Sequence, residues 1–134
     1  MEKYIWEFGS FIFIYLGTMH LVFTFFTNKF SSKNEDVIVA MKSSSPLLTK
    51  DTTMWKAWVG FNASHSSGAI FIGTINLYLA HNYFELFTPF LFGLNIITVV
   101  FYLWLAKKYW FKIPFIGILL TLLSYVTTFI ITQL

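Results

Sequence analysis

Apolar residues run through this chain in four long blocks, each closed by a cluster of polar or lysine residues. The blocks cover residues 4–27, 54–79, 86–106 and 113–132. A helix of about 23 residues reaches about 35 Å, enough to cross a bilayer with some tilt. The pattern therefore predicts four transmembrane helices. The first block is too long for a signal peptide and no small-residue cleavage site follows it, so it reads as a retained span. Lys29 and Lys33 stop it. Residues 28–53 then form the long polar connection. Within it, Asn34 is placed to cap a short helix over 35–43, EDVIVAMKS, with Glu35 and Asp36 in its first turn. That segment reads either as a helix on the membrane surface or under the bundle, or as an ordered surface loop. Thr88-Pro89 reads as a cap followed by proline at the first helical position, and Pro114 starts the fourth span. Neither proline falls mid-helix, so no proline kink is expected.

Composition sharpens this picture. Of 134 residues, 57% are hydrophobic and 11% charged, where a soluble domain carries about 25% charge. The expected fold is all-α: one integral membrane domain over 1–134, built as a four-transmembrane-helix up-and-down bundle. There is no cysteine, which excludes disulfides and thiolate metal sites. The net charge of +3 rests on lysine without any arginine. Lysine is a poor bidentate phosphate clamp, and these lysines sit at helix ends, so the basic balance reads as topology and not as nucleic-acid binding. Lys3 falls on one side of the four spans and the other lysines fall on the opposite side. By the positive-inside rule, the lysine-rich loops face the cytoplasm of a bacterial inner membrane and both termini lie outside. Tyr4, Trp6, Tyr78 and Tyr83 would belt the outer interface. Trp55, Trp58, Tyr109 and Trp110 would belt the inner one.

The candidate chemistry lies in polar residues within the spans. On the second span, Trp58, His65 and Asn76 fall within about 20° of one another at about 100° per residue, and Asn62 flanks that line. Gly60, Ser64 and Gly68 form a separate small-xxx-small line that permits close helix contact. On the first span, Phe13, Gly17, His20, Thr24 and Thr27 share a face. His20 and His65 lie about 10 and 16 Å inward from the lysine-rich side, so antiparallel neighbours can bring the imidazoles together. The third span adds Asn95 and Thr98; the fourth adds Thr121, Ser124 and Thr128. Ser and Thr in such helices mostly bond their own backbone, and the asparagines are read first as interhelical hydrogen bonds. The two histidines are read as functional, because an ionisable group inside a bilayer is costly. His81 sits at the outer surface and is read as ordinary. No acid or lysine lies well within a span, which speaks against an ion-driven transporter.

At GTMH in the first span and WKAWVGFNASHSSG in the second, the chain resembles an uncharacterised family of small four-helix bacterial membrane proteins. That family carries Gly-x-x-His in its first helix and Trp…Gly-Phe-x-x-Ser-His in its second. The matching positions are Gly17 and His20, then Trp55, Gly60, Phe61, Ser64 and His65. The resemblance implies a four-helix membrane fold and brings no activity with it. In plan the chain is also similar to DoxX-type membrane proteins. It is similar too to the sterol-isomerase/sigma-2 group, whose acidic pocket residues have no counterpart here, which speaks against isomerase chemistry.

The leading expectation is a protein that holds a small apolar molecule (lipid, isoprenoid or quinone-like) inside the bundle. His20 and His65 would orient its polar end, Asn62, Asn76 and Asn95 would support them, and Trp58 would stand at the mouth. One alternative is a bis-histidine haem protein using His20 and His65. The other is a structural or assembly subunit that forms homo-oligomers through Gly60, Ser64 and Gly68. Two histidines are few for a zinc site. No nucleophile–base pair is evident, so the balance leans away from an enzyme.

Overall fold

An apolar chain with few side-chain donors must bond its backbone within each segment, and helices do this. The computed structural model describes residues 1–134 and contains helices without strands. The helices are α1 (Glu2–Phe26), α2 (Glu35–Ser43), α3 (Met54–Asn82), α4 (Pro89–Tyr109) and α5 (Lys112–Gln133), with a single 3-10 turn at Phe84–Leu86. Helices α1, α4 and α5 are long and apolar enough to cross a membrane. The expected four apolar spans are therefore three by composition. Helix α3, at 29 residues, is the longest, but Asn62, Ser64, His65, Ser66 and Ser67 dilute its hydropathy.

Local chemistry explains the boundaries. Thr88 caps α4, its Oγ1 accepting the Leu91 N–H at 3.4 Å, and Pro89 opens the helix. Pro114 falls in the first turn of α5, where its missing N–H costs no helical bond. The segment at 35–43 is a helix: Asn34 Oδ1 accepts from Asp36 N at 2.9 Å. No residue of α2 is buried.

The chain divides into two compact units, Met1–Leu16 with Ala69–Leu134, and Gly17–Gly68. In the first, Trp6 and Tyr125 are fully buried and stack at 3.7 Å between ring centroids, 6° from parallel. Phe87 and Phe92 meet Trp6 edge-on at 4.9 and 5.1 Å. Trp6 is thus core, and not part of an interfacial belt as its place near a helix end suggested. Helix α3 buries Ala69, Gly73, Asn76 and Ala80 here, a stripe at i, i+4, i+7 and i+11. Gly73 lets the backbones of α1 and α3 touch. A Cβ there would lie 2.8 Å from the Ser10 carbonyl oxygen and 2.9 Å from the Ile14 nitrogen. Thr121 and Thr128 of α5 bond their own helix and also the Gly9 and Glu2 carbonyls of α1, at 3.1 and 3.3 Å. Lipid tails give helices no hydrophobic reason to associate, so such contacts and close packing hold them together.

The second unit contains the end of α1, the polar connection, α2 and the start of α3. Thr27 Oγ1 donates to the Phe23 carbonyl at 3.0 Å and accepts from Lys29 N at 3.2 Å, closing α1. The Met54 N–H donates to Ser44 O at 2.9 Å, drawing the end of α2 to the start of α3. Thr53 Oγ1 accepts from Lys56 N at 3.3 Å, an N-cap contact that starts α3.

Candidate functional site

His20 belongs to α1, while Asn62 and His65 lie three residues apart on α3, so α3 presents them to adjoining positions. The fold brings all three together. His20 Nε2 and Asn62 Oδ1 are 2.9 Å apart, and the two imidazole centroids are 5.5 Å apart, edge to face. Asn62 decides how His20 is protonated. Its Nδ2 donates to the Trp58 carbonyl at 2.8 Å, which only a donor can do, so Oδ1 is the atom facing the imidazole. His20 Nε2 therefore carries the hydrogen, and the neutral ring keeps Nδ1 as an acceptor. The position is held from the main chain as well. Thr24 Oγ1 donates to the His20 carbonyl at 2.8 Å, and Ser66 Oγ to the Asn62 carbonyl at 2.7 Å. Phe30, from the polar connection, lies 4.5 Å from the His20 ring.

Phe30 also borders a cavity of about 250 Å³. The end of α1 contributes Thr24, Phe25 and Thr27; the connection contributes Asn28, Phe30 and Ser31; α3 contributes Trp55, Trp58 and Val59. Trp55 and Trp58 stack at 5.4 Å. His20 and His65 do not line this space; Phe30 stands between it and His20. No known protein family, curated protein or solved structure matches the chain.

Asn76 and Asn95 are not part of this cluster. They belong to the first unit, where Trp6 Nε1 donates to Asn76 Oδ1 at 3.2 Å and Asn76 Nδ2 donates to Asn95 Oδ1 at 2.7 Å. Each amide also donates to a carbonyl one turn back on its own helix, at 2.9 Å to Ile72 and 2.9 Å to Leu91. This triad ties α1, α3 and α4, with Trp6 Nε1 and both hydrogens of Asn76 Nδ2 committed, so it is a fastening and not a pocket wall. The expected single His/Asn-lined pocket resolves into a histidine cluster in one unit and an asparagine fastening in the other. The cause is spacing: at 11 residues, Asn76 shares a face with His65 but sits about 16 Å along the helix.

The Gly60, Ser64, Gly68 line also departs from expectation within the chain. Gly60 and Ser64 are exposed, and a Cβ at Gly60 would meet nothing within 4 Å. The close helix contact falls instead at Gly73, on another face of α3.

Chemically, the cluster can donate, accept and orient. No acid occurs between Glu7 and Glu35 or between Asp51 and Glu85, so no carboxylate from these stretches backs the histidines as in a triad. As placed, the pair does not present two nitrogens to one iron: His20 commits Nε2 to Asn62, and the rings meet edge to face. No group of three His, Asp or Glu side chains converges to hold a metal ion.

Proposed function

We propose that this protein is a bacterial inner-membrane binding protein that holds a small molecule with an apolar body and a polar end, of the lipid, isoprenoid or quinone class. The observation that carries the reading is the fixed His20–Asn62 pair beside His65, next to a cavity walled by Trp55, Trp58 and Phe30. An imidazole that donates from Nε2 to Asn62 has Nδ1 left to accept from a hydroxyl when the ring is neutral, and the aromatic wall suits an apolar body. Phe30 would swing from the His20 ring to admit the polar end. In the same reading α3 is the fourth crossing of an up-and-down bundle, its polar run tolerated because Asn62, Ser64 and Ser66 bond backbone carbonyls of the helix itself. The lysine-rich loops then face the cytoplasm and both termini the outside. The motif resemblance at Gly17/His20 and Trp55/Gly60/Phe61/Ser64/His65 is compatible with that plan.

The test is native mass spectrometry of protein extracted in a gentle detergent. A bound molecule is expected from the wild type and is lost from His20→Ala and His65→Ala. A wild type that carries nothing, or variants that keep the molecule, overturns the reading.

A second reading, assembly with further copies of the chain, draws on the open face at Gly60 and Ser64 together with exposed Phe61. There Gly60→Leu would break the oligomer while His65→Ala leaves it intact, as read by light scattering in detergent.

A further inference from the structure

We propose that the Trp55/Trp58 cavity takes a phosphate-bearing anionic headgroup, which makes the bound molecule an anionic lipid; the inference rests on the ligand-binding reading above. Size is the first indication. Pockets for whole drug-sized ligands run to about 300–1,000 Å³, and this one is about 250 Å³, room for a headgroup but not for acyl chains as well.

The donor pattern is the second. Thr24 and Thr27 spend their hydroxyl hydrogens on the His20 and Phe23 carbonyls. Asn28 and Ser31 line the same cavity, and neither side chain is engaged by the protein. An amide N–H and a hydroxyl are thus open to a ligand made of acceptors, which a phosphate is. No carboxylate borders the cavity.

Charge is the third. Residues 17–68 hold five lysines against three acids. Lys29 follows Asn28 directly, and its Nζ sits 4.1 Å from the Phe23 ring. Lys42 Nζ sits 5.3 Å from the ring of Trp55, which forms the cavity wall. Both ammoniums rest on aromatic faces, near enough for their flexible stems to turn toward an anion. Without arginine the grip is that of point charges and not of a bidentate fork, so charge rather than exact headgroup shape sets selectivity. Phe25, Trp58 and Val59 give the apolar side by which chains would leave.

The full-length protein in detergent is titrated with phosphatidylglycerol, with diacylglycerol of the same chains, and with inorganic phosphate, and binding is read by native mass spectrometry. Phosphatidylglycerol is expected to bind and diacylglycerol not to. Lys29→Gln and Lys42→Gln should each weaken binding about five-fold, and Asn28→Leu with Ser31→Val about ten-fold. These side chains make no buried contact, so an unchanged melting temperature separates lost binding from lost fold. Displacement of the lipid by inorganic phosphate assigns the site to the free anion; resistance assigns it to the lipid headgroup. Diacylglycerol binding as tightly as phosphatidylglycerol, or variants that keep full affinity, overturns the headgroup site while leaving the ligand-binding reading standing. A protein that binds none of these lipids and carries no copurified molecule overturns both.

Discussion

Two residues show how much a single side chain decides here. Asn62 anchors one end of its amide on the Trp58 carbonyl and thereby fixes the tautomer of His20. Asn62→Leu is expected to release that choice. Nitrogen NMR of labelled histidine should show one Nε2–H form for His20 in the wild type and a tautomer mixture in the variant; an unchanged spectrum would sink the assignment. Trp6 carries the core of the first unit. Trp6→Ala should cost about 3–5 kcal/mol, measured by unfolding in a denaturing detergent. Trp6→Phe keeps a ring but strips Asn76 Oδ1 of its tryptophan donor, and should cost about 0.6–1.7 kcal/mol, the range of single bonds between membrane helices. Part of this was legible. The stripe Phe13, Gly17, His20 extends backward through Ser10 to Trp6 at the same spacing, and both are fully buried. What hid Trp6 is that a tryptophan near the end of an apolar helix also fits an interfacial belt, and periodicity cannot separate the two. The anchoring of Asn62 was not legible, because an amide chooses among nearby partners only once the neighbouring helix is in place.

At the scale of elements, the placement of small residues in α3 decides which of its faces packs. Gly60-xxx-Ser64-xxx-Gly68 is the more conspicuous motif, yet Ala69-xxx-Gly73 is the one at a helix contact. Both were present in the sequence. Spacing alone does not say which small face meets a neighbour. Asn76 and Ala80, continuing the Ala69/Gly73 stripe, were the available signal. The consequence is measurable with one substitution at each glycine. Gly73→Ala drives a methyl into the Ser10 and Ile14 backbone, which cannot step aside, and should cost about 1–3 kcal/mol. Gly60→Ala meets nothing within 4 Å and should gain up to about 1 kcal/mol of helix propensity. Melting curves of the two purified variants should therefore shift in opposite directions. Equal shifts would mean that α1 and α3 do not pack backbone to backbone at Gly73. The helix α2 was half legible in the same way: Asn34 with two acids signalled its start, but a nine-residue segment with no buried side chain reads equally well as a loop.

At the scale of the whole molecule, the topology turns on the path of α3 through the bilayer. Composition alone sets α1, α4 and α5 apart from it. Length and partnership weigh the other way. At 29 residues α3 extends well past the thickness of the hydrocarbon layer. Its asparagines and two of its three serines are also bonded, Asn62 to Trp58, Ser64 to Phe61, Ser66 to Asn62, Asn76 to Ile72 and Asn95, so their burial in lipid depth carries little unsatisfied cost. The alternatives differ in a way that can be labelled. If α3 crosses, Ser45, in the connection that precedes it, and Asn82, its last residue, lie on opposite sides of the membrane, and Lys108 shares a side with Ser45. If α3 lies along the surface, Ser45 and Asn82 share a side and Lys108 lies on the other. The chain has no cysteine, so Ser45→Cys, Asn82→Cys and Lys108→Cys can each be made singly in an otherwise thiol-free protein. A membrane-impermeant maleimide applied to intact spheroplasts should label Asn82→Cys and spare the other two until the membrane is opened. Labelling of Lys108→Cys alone, or of Ser45→Cys and Asn82→Cys together without Lys108→Cys, would remove α3 from the spans. It would also take His65 out of the bilayer, and with it the reason for reading that histidine as a ligand for a membrane-borne molecule.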